Sequence, residues 1–69
     1  ASFVIYETNG VINISARSMG ACNVQIVMES LGGGGHLTMA ATQLNCSMNE
    51  ARKRLADAID EYWENNSQE

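Results

Sequence analysis

Residues 32–35 are four consecutive glycines, and His36 follows them at once. Such a run either tethers two independent pieces or is built into one fold, and chain length decides between the two. Cutting a 69-residue chain at this point leaves two pieces of roughly thirty residues, each too small to bury a stable core by itself. The chain therefore reads as one unit with an ordered glycine loop inside it. Four backbone N–H groups with no side chains in front of them can converge on one anion. Glycine alone reaches the φ > 0 positions this requires without strain. A helical turn over residues 37–41 would add the partial positive charge of its N-terminal amides at the same place. The run is thus a candidate phosphate cradle with an imidazole at its rim. The alternative is an ordinary helix-ending turn or a linker.

The flanking segments set the rest of the architecture. Phe3, Val4, Ile5 and Tyr6 are apolar at both parities, the pattern of a strand over residues 2–7 buried on both faces. Asn9-Gly10 is a hairpin turn signal, because both residues tolerate φ > 0. Residues 11–17 then alternate, with Ile12, Ile14 and Ala16 on one face and Asn13, Ser15 and Arg17 on the other. Residues 18–21 form a connection. Asn23 caps a helix whose stripe is Val24, Val27, Met28 and Leu31, and Gly32 is placed to end it. The alternation of Val24, Ile26 and Met28 also permits a strand. Beyond the expected turn at 37–41, residues 42–46 suit a short strand. Ser47 and Glu50 form a capping box. The helix they open carries Ala51, Leu55, Ala58, Ile59 and Tyr62 on one stripe, with Glu50 and Arg54 as an i, i+4 pair. Asp60, Glu61 and Glu64 oppose the helix dipole near its C-terminus, so fraying is expected from Asn65 onward. The expected fold is α/β of the α+β kind: hairpin, helix, Gly-rich loop, short strand and C-terminal helix on a small mixed sheet.

Composition narrows the chemistry. The net charge is −4, and Arg17, Arg52, Lys53 and Arg54 are the only Lys and Arg side chains. Binding to long nucleic acid needs a broad basic surface that releases counterions, and this chain has none. A small phosphorylated ligand held by one arginine and backbone amides remains compatible. Cys22 and Cys46 lack CxxC spacing and read as free thiols, with no zinc motif. Arg17 can offer a bidentate fork to phosphate oxygens and Ser18 a hydroxyl; Arg17 can equally be a solvated strand-end cation or pair with Glu7 across the hairpin. His36 can donate to a phosphate or protonate a leaving oxygen, or it can simply cap and pack. Arg52, Lys53 and Arg54 read as a solvated helix face, and Tyr62 and Trp63 as core or edge cover. No general base stands beside a plausible nucleophile, and no Asp/His cluster has metal-ligand spacing. The chain alone is expected to be inactive, with no metal site of its own.

Three motifs carry a resemblance. Ile14-Ser15-Ala16-Arg17-Ser18, then Asn23-Val24-Gln25, then Gly32-Gly33-Gly34-Gly35-His36 with Ala40-Ala41-Thr42-Gln43 behind, resemble the C-terminal DHH-associated domain of DHH phosphoesterases. Within that group the chain is most similar, over residues 10–62, to the GdpP-type cyclic-di-AMP phosphodiesterases. The resemblance implies the substrate-binding lobe of a manganese-dependent phosphodiesterase that opens a cyclic dinucleotide, cyclic-di-AMP, to linear pApA. A separate DHH domain, in cis, would hold two Mn²⁺ ions and perform the hydrolysis. Carried over by position, Arg17 and Ser18 would contact nucleotide or phosphate. Gly33, Gly34 and Gly35 would offer amides, and His36 would sit beside the scissile phosphate as the catalytic contact and proton donor. The family domain has further N-terminal structure, so residues 1–64 would be the C-terminal part of a truncated domain and 65–69 a frayed tail. An exposed first strand would offer an edge for a homodimer. The parent would be anchored in a bacterial membrane with this lobe in the cytoplasm and out of contact with the bilayer. The rivals are an oligoribonucleotide or phosphoadenosine phosphatase of the same superfamily, and a non-catalytic RNA-binding or interaction module.

Overall fold

The computed structural model describes residues 1–19 and 22–66. Gly20 and Ala21 of the expected connection, and residues 67–69 of the expected tail, lie outside the described residues. The order is β1 (Ser2–Thr8), β2 (Val11–Arg17), α1 (Val24–Ser30), β3 (Gly34–Gly35), β4 (Met39–Leu44) and α2 (Met48–Asn66). The strands form one sheet in the order β1-β2-β4-β3, and every pairing is antiparallel. The expected mixed sheet is therefore corrected: each pair is joined either by a tight turn or by a connection that returns the chain in the opposite direction.

The hairpin forms as its turn dictates. Asn9 and Gly10 have φ of 52° and 78°, so Thr8 pairs with Val11 and the register runs to Ser2 opposite Arg17. That register places Glu7 opposite Ile12. Five residues of strand, about 17 Å, separate Glu7 from Arg17, and the alternative ion pair between them does not form. The alternation of β2 is fully realised, with Ile12, Ile14 and Ala16 buried to 1% exposure or less. Both helices cover this one face of the sheet, where Phe3, Ile5, Ala40 and Leu44 join the same core. Val4 and Tyr6 are 57% and 48% exposed on the opposite face. The expectation of a two-faced buried β1 is thus corrected, since this chain supplies a single helical layer.

Helix α1 follows its caps. The Asn23 side-chain oxygen accepts from the N–H groups of Gln25 (3.1 Å) and Ile26 (3.4 Å). At the other end the N–H of Gly32 donates to Glu29 O (3.0 Å) and that of Gly33 to Met28 O (2.8 Å). With Gly32 at φ 90°, these two bonds form a Schellman stop. Thr42, buried on the core face, donates its hydroxyl to Leu31 O at 3.2 Å and so satisfies another carbonyl at the same helix end. The expected helical turn at 37–41 is absent, because Met39–Ala41 belong to β4. The two neighbouring strands supply their backbone partners: Met39, Ala40 and Ala41 pair with Arg17, Ala16 and Ser15 on one side, and Ala40 and Ala41 with Gly35 and Gly34 on the other. Tertiary pairing of this kind overrides the helix preference of alanine.

Helix α2 buries Ala51, Leu55, Ala58 and Tyr62, as its periodicity requires. Ser47 Oγ accepts from the Glu50 N–H at 3.1 Å. The Glu50 carboxylate pairs instead with Arg54 Nε at 3.3 Å, with both side chains about half exposed, an arrangement worth only a few tenths of a kcal/mol. The Tyr62 hydroxyl accepts from the Asn23 N–H at 2.9 Å and fastens the end of α2 to the start of α1. Tyr62→Phe leaves that amide without this acceptor and is expected to cost about 1 kcal/mol in a urea melt.

Candidate functional site

Register brings the predicted groups to one end of the sheet. Arg17, the last residue of β2, lies opposite Ser2 of β1 and Met39 of β4. His36 extends the β3–β4 ladder by one step. Its N–H donates to Met39 O (2.6 Å), and its carbonyl accepts from the Met39 N–H (3.3 Å). Ser2, Arg17, Met39 and His36 therefore occupy a single row across the sheet. Arg17 and His36 are two strand spacings apart, about 10 Å between Cα atoms. Both are exposed, and the pleat directs residues of one row to the same face, the one the helices leave uncovered.

Two backbone bonds hold this end together. The Ser18 N–H donates to Thr38 O at 2.9 Å, and the Val24 N–H to Leu37 O at 3.2 Å. The β3–β4 turn is thereby stitched to the segment that leaves Arg17. Ser18 is buried, and its Oγ accepts from the Cys22 N–H at 3.2 Å, which places its hydroxyl beneath the row. Ala1, Ser2, Arg17, Ser18 and Met19 line a depression of about 400 Å³ at this corner. Arg17 has no ion-pair partner among the described residues, so its guanidinium is available to an anion. Both cysteines are free thiols. Burial pushes the Cys22 thiol above its ordinary value, which keeps it a neutral packing group at neutral pH.

The glycine run is built differently from a nest. Its N–H groups do not converge: those of Gly32 and Gly33 close α1, and that of His36 closes the β3–β4 turn. Since His36 and Met39 exchange both of their bonds, the next pair, Gly35 with Ala40, is a non-bonded pair of the ladder. The Gly34 amide then faces β4, and the Gly35 amide points outward from the sheet edge. What the run needs from glycine is closeness. A Cβ on Gly33 would overlap the Ala41 carbonyl oxygen and the Thr42 side chain, and one on Gly35 would lie 2.5 Å from Ala40 Cα. A Cβ on Gly34 would meet nothing within 4 Å. This close approach crosses strands, and the run's composition alone carried no signal of it.

Among the described residues, no three His, Cys, Asp or Glu side chains come together as a metal site requires. The two manganese ions that the resemblance implies find no donor set among them, and no chemical step is derived through them.

Residues 1–65 match the family model for the DHHA1 domain. The cyclic-di-AMP phosphodiesterase PdeA of Listeria monocytogenes is 58% identical over 65 residues, which cover 91% of this chain and 10% of that protein. The cyclic-di-AMP phosphodiesterase GdpP of Bacillus subtilis is 58% identical over 66 residues, 93% of this chain and 10% of that protein. Its counterpart in Geobacillus thermodenitrificans is 54% identical over 66 residues, with the same two coverages. The chain spans about a tenth of the length of these relatives. An α+β unit with Arg17 and His36 on one row and a glycine strand pressed against β4, matched along nearly its whole length, belongs to the DHHA1 domain family, in its GdpP-type branch.

Proposed function

We propose that this chain is the substrate-binding lobe of a phosphodiesterase that opens cyclic-di-AMP to linear pApA. The reading rests on the row that sets Arg17 and His36 on either side of Met39 on an uncovered face, together with relatives named as cyclic-di-AMP phosphodiesterases. A DHH domain in the same polypeptide would hold two Mn²⁺ ions, whose chemistry there would be to activate the attacking water. The water forms a new bond to phosphorus while one P–O3′ bond breaks, so the product keeps a 5′-phosphate at one end and gains a 3′-hydroxyl at the other.

This lobe supplies position and charge. Arg17 places its planar fork on the non-bridging oxygens, where negative charge grows in the transition state. His36 donates a hydrogen bond to the same phosphate and is placed to give a proton to the departing O3′. The outward Gly35 amide adds a donor from the sheet edge. Gly33 and Gly35 let β3 lie close to β4, and Ser18 holds the segment from which Arg17 projects. No helix among the described residues is long and apolar enough to cross a membrane. A membrane anchor elsewhere in the parent, with this lobe in the cytoplasm, is part of the same proposal.

The test is substrate preference of the full-length protein. Cyclic-di-AMP is expected to be hydrolysed with kcat/KM at least about tenfold above that for linear pApA or a short oligoribonucleotide, a difference of about 1.4 kcal/mol in transition-state binding. A preference for the linear substrates would replace this reading with the oligoribonuclease-like one.

A further inference from the structure

Two rows farther along the uncovered face, Tyr6, Asn13 and Gln43 lie directly opposite one another on β1, β2 and β4. They line a depression of about 370 Å³, within the size range of small-ligand sites. The Tyr6 ring is 48% exposed there. The amides beside it are held in order: Asn13 Nδ2 donates to Val11 O at 3.2 Å, and Gln43 Nε2 donates to Asn13 Oδ1 at 3.0 Å. That chain of bonds fixes the orientation of the Gln43 amide. Its Oε1 and one N–H are left for a ligand.

Between this row and the row of Arg17 lies Ser15, with Ala41 and Gly34 beside it, and Gly34 leaves open space above its Cα. The two polar rows are four residues apart along β2, about 13 Å. Small residues separate them, so a sugar can cross the floor while a phosphate stays with Arg17.

We propose that Tyr6, Asn13 and Gln43 form an adenine-reading subsite of this lobe, which rests on the nucleotide-binding reading above. Tyr6 stacks on the base, as aromatic side chains do on bases of any sequence. The pinned Gln43 amide accepts from the exocyclic N6 amine and donates to N7, the pairing that glutamine makes with adenine. Guanine presents O6 where adenine presents its amine. The fixed Gln43 oxygen would then face a second acceptor, and turning the amide over would break its bond to Asn13. The Asn13–Gln43 bond is therefore the element that sets adenine over guanine.

The experiment is steady-state kinetics of the full-length protein on cyclic-di-AMP and cyclic-di-GMP. Tyr6→Ala is expected to raise KM for cyclic-di-AMP about tenfold with kcat little changed. Asn13→Ala frees the Gln43 amide and is expected to lower the adenine-to-guanine ratio of kcat/KM by about tenfold. Tyr6 is exposed and Asn13 half-buried, and an unchanged melting temperature for each variant shows that folding is intact. If the Tyr6 and Asn13 variants keep both KM and the ratio while Arg17→Ala loses activity, the subsite is overturned and the proposed function stands. If the parent protein hydrolyses neither cyclic dinucleotide, the proposed function and the subsite fall together.

Discussion

Gly35→Ala is expected to destabilise the fold by about 3–5 kcal/mol, whereas Gly34→Ala, one residue earlier, is expected to change stability by less than about 1 kcal/mol. Two separate penalties fall on Gly35. Its φ of 145° lies where a residue with a Cβ is strained, at a cost of about 1–3 kcal/mol. The new methyl would also lie 2.5 Å from Ala40 Cα and 2.6 Å from Met39 O, and neither backbone atom can yield without opening the β3–β4 ladder. Gly33→Ala belongs with Gly35→Ala, because its methyl would overlap the Ala41 carbonyl oxygen. A fold of 69 residues has a total stability of only about 3–10 kcal/mol. Urea melts of the three variants provide the check. A Gly34→Ala as damaging as the other two would overturn close approach as the reason for glycine at positions 33 and 35.

Arg17→Ala is expected to lower kcat/KM of the full-length protein for cyclic-di-AMP by about 10²–10³, the usual effect of removing one donor to a developing oxyanion. The melting temperature should barely move, because exposed substitutions away from special features stay within about 0.5 kcal/mol and Arg17 has no ion-pair partner among the described residues. Arg17→Lys keeps the charge and loses the planar fork, so it should recover only part of the loss. Kinetics and thermal melts on the same preparations separate a binding role from a structural one. Full activity in Arg17→Ala would remove the residue from the site.

The parts of the fold that were legible in the sequence are those fixed by near neighbours. Asn9-Gly10 specifies its turn by itself, the alternation of Ile12, Ile14 and Ala16 specifies a face, and Asn23 and Gly32 bracket α1 through bonds made within a few residues. Segments whose structure depends on distant partners were misread. Ala40 and Ala41 favour helix locally, yet they form strand because β2 and β3 lie on either side of them. Val4 and Tyr6 look like core residues, and only the one-sided placement of the helices shows them exposed. The site divides in the same way. Arg17 and His36 stood out as polar groups bordering apolar runs. Their shared row, and the packing demand that makes Gly33 and Gly35 glycines, arise only from pairing across strands.

The bonds that join the β3–β4 turn to the segment after Arg17 also tie recognition to the order of folding. The β1–β2 hairpin closes over two residues, whereas the pairing of Arg17 with Met39 must first close a long loop at a larger entropic cost. A chain that has formed its hairpin and both helices, but has not yet zipped β4 onto β2, holds every residue of the site and none of its geometry. Ligand capture is then a property of the completed fold alone. On the proposed function, a nucleotide at a hundred times its dissociation constant would add about 2.7 kcal/mol to that state and nothing to its precursors, so the substrate would act as the final clasp of the domain.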